Sequence, residues 1–125
     1  MLRVGVKKQF SAAHRLEGHP GKCARLHGHT WYVEAVFSTP EVGPDGMVLD
    51  FETARLMLDE VLGPFDHQYL NELEAFSSVR PTAENVARTV FKGLLVEAEK
   101  KAIGVHMEKV TVWESPDSWA SYSSE

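Results

Sequence analysis

The sequence predicts an α+β domain in which four strands form an antiparallel sheet and two helices pack on one face of it. Segments in which polar and apolar residues alternate, as in strands, lie near both ends of the chain. Between them are two segments whose apolar residues recur at helical spacing, and stretches rich in Gly and Pro separate the segments. The element order is therefore β-β-α-α-β-β, and sequential hairpins predict a wholly antiparallel sheet.

The first two predicted strands form a hairpin with a long connection. The first strand runs from Leu2 to His14, and the second runs from His29 to Ser38. The connection from Arg15 to Leu26 contains Cys23, and ordered loops of this length in compact domains are commonly functional. Alternate residues should share one face of their strand, namely Leu2, Val4, Val6, Phe10, Ala12 and His14 in the first strand and Trp31, Val33, Ala35 and Phe37 in the second.

The first helix is predicted to begin after Asp50, because a carboxylate at that position can cap it, and to end at Gly63-Pro64. A short extended piece, Met47–Leu49, precedes the helix, and the segment from Phe65 to Asn71 is expected to be irregular. The apolar stripe of the helix consists of Phe51, Ala54, Leu58, Val61 and Leu62.

The second helix is predicted to begin after Pro81, with Thr82 as its N-cap. Its apolar stripe consists of Val86, Val90, Leu94 and Ala98. The alternation from Val105 to Glu114 predicts a third strand, and Trp119–Tyr122 predicts a short last strand at the edge of the sheet.

Composition limits the functions that the chain can have. With 125 residues, the chain is expected to form one domain over residues 1–125. A net charge of −5 argues against nucleic acid as a partner, and the apolar runs are too short to span a membrane. A single cysteine and the absence of a signal-peptide pattern predict a cytoplasmic protein. The exposed edges of an open sheet favour a homo-oligomer.

Three histidines form a candidate metal site. His27 and His29 are two residues apart, so in a strand their side chains would point the same way, about 6.6 Å apart. In the predicted hairpin, His14 would lie beside them, and three imidazoles leave Zn²⁺ with an open fourth position, as in catalytic sites. The alternatives are that the His-x-His pair is incidental and that His14 is a hydrogen-bonded core residue.

Three further positions carry candidate chemistry, and each has a plainer interpretation. Cys23 lies between Lys22 and Arg25, and cationic neighbours favour a reactive thiolate; it could equally be a buried apolar residue or a fourth metal ligand. In Asp66-His67, the carboxylate could orient the imidazole for proton transfer, or the two adjacent side chains could be out of contact. Glu114 could bind ring N–H and amino groups of a ligand, or it could be a solvated strand end.

The motifs occur in a fixed order along nearly the whole chain. They are Phe10-Ser11-Ala12-Ala13-His14, Cys23-x-x-x-His27-Gly28-His29, Gly46-Met47-Val48-Leu49-Asp50-Phe51, Asp66-His67-x-x-Leu70-Asn71, Pro81-Thr82-x-Glu84-Asn85 and Glu114. Together they resemble the 6-pyruvoyl-tetrahydropterin synthase / 6-carboxy-tetrahydropterin synthase family. The resemblance implies the tunnelling fold (T-fold), in which trimers close their sheets into a barrel and often pair as hexamers. It also implies Zn²⁺ bound by His14, His27 and His29.

The resemblance further implies roles for residues outside the histidine cluster. Cys23 would be the catalytic base, and Asp66-His67 would be a proton-transfer pair donated across a subunit boundary. Glu114 would anchor the pterin ring, and Thr82 and Glu84 would lie in the segment that lines the pterin pocket.

The implied substrate is 7,8-dihydroneopterin triphosphate. In this family, the carboxy-forming enzymes resemble this chain in having three residues between the cysteine and His-Gly-His, here Ala24, Arg25 and Leu26. We therefore predict a lyase that forms 6-carboxy-5,6,7,8-tetrahydropterin, acetaldehyde and triphosphate in queuosine-type biosynthesis. Two alternatives remain: a 6-pyruvoyl-tetrahydropterin synthase, and a non-catalytic module in which Cys23 completes a closed zinc site.

Overall fold

The computed structural model describes residues 1–124 except for the side chains of Lys22 and Cys23. Its sheet contains β1 (Leu2–His14), β2 (His27–Thr39), β3 (Gln68–Tyr69), β4 (His106–Ser115) and β5 (Ser118–Tyr122). The strand order is β3-β1-β2-β4-β5. The two α-helices are α1 (Phe51–Leu62) and α2 (Ala83–Lys100), and 3-10 turns occupy Gly21–Ala24, Gly63–Phe65, Leu70–Glu72 and Glu74–Phe76. The predicted α+β architecture with two helices is confirmed.

The hairpin of β1 and β2 forms as predicted. The two strands pair antiparallel along their whole length, with Leu2 opposite Thr39 and His14 opposite His27. The alternate residues Trp31, Val33, Ala35 and Phe37 of β2 are buried, as their spacing requires. The register places the ring of Phe10 parallel to that of Trp31, with centroids 5.8 Å apart, next to the histidine end of the hairpin.

The predicted four-stranded, wholly antiparallel sheet is wrong in strand number and in direction. The four long strands are antiparallel, but β3 adds a fifth strand that pairs parallel with β1 at Ala12 and Ala13. Two residues are too few to show an alternating pattern, so the pairing of β3 depends on tertiary contacts. One such contact is a backbone bond from the N–H of His67 to the carbonyl of Ser11, 2.6 Å long.

Both helices begin where the capping residues predict. The Asp50 carboxylate accepts hydrogen bonds from Glu52 N and Thr53 N, and the Thr82 hydroxyl accepts one from Asn85 N. The predicted stripe of α1 is wrong at one position, because Phe51 is 51% exposed whereas Met57 is buried. The Met47–Leu49 piece forms no strand within the described part of the chain.

The core lies between one face of the sheet and the two helices. Buried residues of α1, including Leu58, and of α2, including Leu94, join those of β1, β2 and β4 in a single apolar cluster. The helices approach closely at Gly93, where a Cβ atom would lie 2.9 Å from Cγ1 of Val61. Among the helices that the structure describes, none is long and apolar enough to cross a membrane.

Candidate metal centre and active site

The pairing of β1 with β2 brings three imidazole rings together at one end of the hairpin. The ring centroid of His14 lies 4.5 Å from that of His27 and 5.1 Å from that of His29, and His27 and His29 are 4.7 Å apart. Glu114, near the end of β4, adds a carboxylate to the group. Candidate ligand atoms of these four residues all lie within 4.8 Å of one another, so the cluster could hold a metal ion.

The cluster is partly removed from water, with His14 buried and the other three residues half-buried. His14 is 0% exposed, and the Nε2 atoms of His14 and His29 are buried with no hydrogen-bond partner among the described residues. His29 Nε2 does lie 3.3 Å from Glu114 Oε1, but without hydrogen-bonding geometry. Burial lowers the pKa of both His14 and His29, and the Glu114 carboxylate only partly opposes this effect. The neutral rings that result are the form that binds metal.

Backbone carbonyls hold two of the rings from outside the cluster. The Nδ1 atom of His14 lies 2.7 Å from the Pro81 carbonyl oxygen, and that of His27 lies 2.7 Å from the Arg25 carbonyl oxygen. Since a carbonyl only accepts, Nδ1 donates in each case, and Nε2 of the neutral ring keeps a free lone pair. Metal-bound histidines commonly have such partners. The side chains therefore fit a divalent metal that prefers imidazole, such as zinc.

Asp66 and His67 form a hydrogen-bonded pair attached to the edge of β1 that pairs with β3. Asp66 Oδ2 lies 3.0 Å from His67 Nδ1, and its other carboxylate oxygen accepts a 3.0 Å hydrogen bond from the Ser11 N–H. The Ser11 hydrogen bond, followed by that of the His67 side chain, lowers the pKa of Asp66 and keeps it ionised. The ionised carboxylate therefore favours a proton on Nδ1 of His67.

The backbone of His67 is in the left-handed region, with φ at 59°. This conformation is uncommon for a residue with a side chain and is found often at functional sites. The His67 side chain is 80% exposed, and it lines an open cavity of about 570 Å³ together with His29 and Thr30. His67 is thus placed to meet a ligand that reaches the histidine cluster from the open side.

The remaining predicted site residues are less closely joined to this group. The side chain of Cys23 lies outside the described residues, so its role as a base stays a prediction. Thr82 uses its hydroxyl to cap α2, and Glu84 is exposed in the first turn of that helix. Their predicted position along a pterin pocket therefore also stays a prediction.

The sequence analysis missed the groups that hold the histidines in place. The Pro81 and Arg25 carbonyls are backbone atoms, and residue type does not reveal where a carbonyl points. Asn71 was visible only as part of a motif, yet its side chain bonds the backbone of Arg15, the residue after His14. Asn71 follows Gln68 by three residues, and Gln68 pairs with β1. This short separation is the one sequence feature that could have suggested the contact.

The sequence and the structure both match known proteins along nearly the whole chain. A family model described as 6-pyruvoyl tetrahydropterin synthase matches residues 3–125. The 6-carboxy-5,6,7,8-tetrahydropterin synthase of Synechocystis sp. is 38% identical over an alignment of 126 positions, gaps included, that spans 95% of this chain and 92% of the relative. That of Haemophilus influenzae is 28% identical over an alignment of 144 positions, gaps included, that spans 98% of this chain and 99% of the relative.

A solved structure agrees with this similarity. The structure of Caenorhabditis elegans 6-pyruvoyl tetrahydropterin synthase matches with a TM-score of 0.87 at 29% sequence identity. The match covers 99% of this chain and 96% of the other. The fold of this chain, including the hairpin that carries the three histidines, is therefore similar to that of a pterin synthase.

Proposed function

The chain belongs to the 6-pyruvoyl tetrahydropterin synthase family, and on that premise we propose that it converts 7,8-dihydroneopterin triphosphate to 6-carboxy-5,6,7,8-tetrahydropterin, acetaldehyde and triphosphate. The main support is the convergence of His14, His27 and His29, with two buried Nε2 atoms that have no partner among the described residues. The choice of product is supported by the names of the relatives in Synechocystis sp. and Haemophilus influenzae. It also agrees with the three-residue spacing between Cys23 and His27.

The proposed metal is Zn²⁺, held by the Nε2 atoms of His14 and His27 and by His29. When bound, zinc would supply Lewis acidity that makes the hydroxyl groups of the substrate side chain more acidic. Three protein ligands leave a position for the substrate, as in other catalytic zinc sites. The Pro81 carbonyl, 2.7 Å from His14 Nδ1, would keep that ring in the binding tautomer.

Proton transfer is assigned to Cys23 and to the Asp66–His67 pair. The Cys23 thiolate would remove a carbon-bound proton next to the substrate hydroxyls. Asp66 holds Nδ1 of His67 at 3.0 Å, which leaves Nε2 of that exposed ring to deliver and accept protons. His67 and His29 line the same cavity, and this shared position supports a common substrate.

Glu114 is the proposed anchor of the pterin ring. An ionised carboxylate accepts from two donors, so it can bind a ring N–H and an amino group at once. Its distance of 3.3 Å from His29 Nε2 would place the pterin next to the metal. Thr82 and Glu84 are proposed to line the far side of the pterin pocket. The same short distance supports a competing role for Glu114 as a metal ligand. The Glu114→Gln substitution separates this role from the anchor role.

Two other functions have specific support. The likeness to the Caenorhabditis elegans 6-pyruvoyl tetrahydropterin synthase supports elimination of triphosphate without carbon–carbon cleavage. The proximity of Cys23 to His27 in sequence supports a closed, non-catalytic zinc site in which Cys23 is the fourth ligand. In the Co²⁺-substituted protein, a strong thiolate-to-metal charge-transfer band would support the closed site, and its absence would support an open one.

The proposed assembly is a homo-oligomer built from trimers that pair as hexamers. Such an assembly would cover the open edges of the sheet. Within the described residues, β1 pairs with β3 only at Ala12 and Ala13, and β5 has a neighbour on one side only. Edges of this kind are usually covered, and a second copy of the chain can cover them. We propose that the sites form at these subunit boundaries and that the product enters queuosine-type biosynthesis.

The test of the function is product analysis. The zinc-loaded protein is incubated with 7,8-dihydroneopterin triphosphate while an aldehyde-trapping reagent is present. We expect 6-carboxy-5,6,7,8-tetrahydropterin and trapped acetaldehyde in equal amounts. A 6-pyruvoyl product without acetaldehyde would assign the chain to the other activity, and the absence of turnover would favour the non-catalytic zinc site.

A further inference from the structure

His14 is held by two asparagines that lie outside the histidine cluster. Its ring contacts the Pro81 carbonyl, and the Asn85 side chain bonds the peptide carbonyl just before Pro81. The backbone immediately after His14 is bonded by the side chain of Asn71. We propose that Asn71 and Asn85 are positioning residues that hold His14 ready for a metal ion. This inference rests on the proposed function, because it assumes that His14 is a ligand.

Asn71 acts on the backbone of the strand that ends at His14. Its Oδ1 accepts a 2.9 Å hydrogen bond from the Arg15 N–H, and its Nδ2 donates a 2.9 Å hydrogen bond to the Arg15 carbonyl. A side-chain amide offers one acceptor and two donors, so it can replace the peptide group of a neighbouring strand. The contact therefore extends the parallel pairing of β3 with β1 beyond Ala13. The two hydrogen bonds between Asn71 and Arg15 therefore restrict the position of the adjacent Cα atom of His14.

Asn85 acts on the direction of the Pro81 carbonyl. The Arg80 carbonyl accepts two hydrogen bonds of 2.9 Å, one from the Thr82 N–H and one from Asn85 Nδ2. The first bond closes a three-residue turn around Pro81, whose φ is already restricted by its ring. Asn85 is itself held, because its N–H donates to the Thr82 hydroxyl at 3.1 Å. These contacts leave the buried Pro81 carbonyl directed at His14 Nδ1.

The two contacts have a joint chemical consequence. A carbonyl partner at Nδ1 makes the neutral ring carry its proton there, so Nε2 presents its lone pair to the cluster. A ring whose rotation and tautomer are already set loses less freedom when it binds a metal. Partners of this kind in other metal sites affect affinity by about 10- to 100-fold.

The decisive variants are Asn71→Asp and Asn85→Asp, because each keeps the volume of the side chain and removes its donor. In Asn85→Asp, the new carboxylate lies in the first turn of α2, where the helix dipole favours negative charge. The added negative charge would also favour the binding of any nearby cation. A loss of metal affinity in this variant therefore cannot be attributed to a weaker helix or to weaker electrostatic attraction.

The control variant is Asp50→Ala. Asp50 also uses its side chain to bond backbone N–H groups, but it caps α1 and lies beside Leu2, at the opposite end of β1 from His14. It should lower the melting temperature while leaving metal affinity unchanged. The measurements are Zn²⁺ affinity by chelator competition, the melting temperature of the metal-free protein, and the ring nitrogen shifts of His14 by NMR.

We expect each Asn→Asp variant to bind Zn²⁺ about 10- to 100-fold more weakly than the parent protein. In the metal-free protein, Asn85→Asp should also shift His14 from a single tautomer towards a mixture. Unchanged affinity and unchanged nitrogen shifts in both variants would overturn the positioning role, and so would an equal loss of affinity in Asp50→Ala. If the parent protein bound no zinc, the proposed function would fail by itself, and the positioning of His14 would still be decided by the tautomer measurement.

Discussion

The carboxylate of Glu114 lies 3.3 Å from Nε2 of His29, although the two residues come from strands far apart in the sequence. The pairing of β2 with β4 creates this contact, because Tyr32 lies opposite Trp113 and so brings the ends of the two strands together. A residue that binds pterin and a residue that binds metal would therefore be direct neighbours.

Replacing Glu114 with glutamine separates these two roles. An amide accepts through one oxygen only, so Glu114→Gln should weaken pterin binding by about 1.5–3 kcal/mol, the usual contribution of a charged hydrogen bond. Zinc content should stay near one ion per chain if the three imidazoles are sufficient ligands. Pterin fluorescence and metal analysis are the measurements. Loss of zinc with normal pterin affinity would instead identify Glu114 as a ligand.

Removal of the His14 imidazole should abolish stoichiometric zinc binding. Two remaining imidazoles hold zinc poorly, so purified His14→Ala should contain much less than one ion per chain. The matched control is His106→Ala, because His106 is exposed on β4 and does not belong to the cluster. Metal analysis after dialysis decides the outcome. Full occupancy in His14→Ala would remove this residue from the site.

The stability of the metal-free protein should fall as the pH drops below about 6.5, the ordinary pKa of histidine. Burial lowers the pKa of His14 and His29 in the folded chain, so the unfolded chain binds protons that the folded chain does not. Their contribution is complete above the ordinary pKa and is lost as the pH falls through the lowered folded values. Melting temperatures between pH 7.5 and 5 should show a flatter slope for His14→Gln than for the parent protein, and equal slopes for the two proteins would contradict this prediction.

Cys23→Ala should retain zinc and pterin and lose turnover, because it removes a proton acceptor and no proposed binding contact. A general base typically contributes about 10²- to 10⁴-fold to the rate. Steady-state turnover, zinc content and pterin affinity are measured on the same preparation. Loss of zinc in this variant would support the closed site in which Cys23 is a ligand.

Gly93→Ala should destabilise the protein although alanine is the better helix former. Alanine gains about 1 kcal/mol in helix propensity. The added Cβ would lie 2.9 Å from Cγ1 of Val61, and overpacking of this kind costs about 1–3 kcal/mol. The net loss of unfolding free energy should be smaller in the background of Val61→Ala, where Cγ1 of residue 61 is absent. Chemical unfolding of the four members of this cycle measures the coupling, and strict additivity would contradict the proposed clash.

The sequence was sufficient for those features that depend on neighbouring residues. The bounds of β1 and the caps at Asp50 and Thr82 follow from alternation and from side chains that bond the next turn. The convergence of the three imidazoles follows from the hairpin register. Phe51 was placed in the core because its spacing fits the stripe of α1, but it is the first residue of the helix and is 51% exposed.

The features that could not be predicted depend on contacts between distant segments. The two residues of β3 form a strand only because β1 offers them an edge at Ala12 and Ala13. The partner of His14 is the carbonyl of Pro81, and the direction of that carbonyl is decided by the turn that begins α2. No residue type in the sequence encodes such a direction.

The hairpin of β1 and β2 also has a consequence for the order of folding. The three histidines are close in sequence, so little chain entropy is lost in bringing them together, whereas His14 and Pro81 are 67 residues apart. We expect the hairpin to acquire hydrogen-exchange protection early during refolding and the first turn of α2 to acquire it later. The candidate ligands would then meet before the Pro81 carbonyl that orients His14 is in place, so His14 would acquire its fixed tautomer only at a late stage of folding.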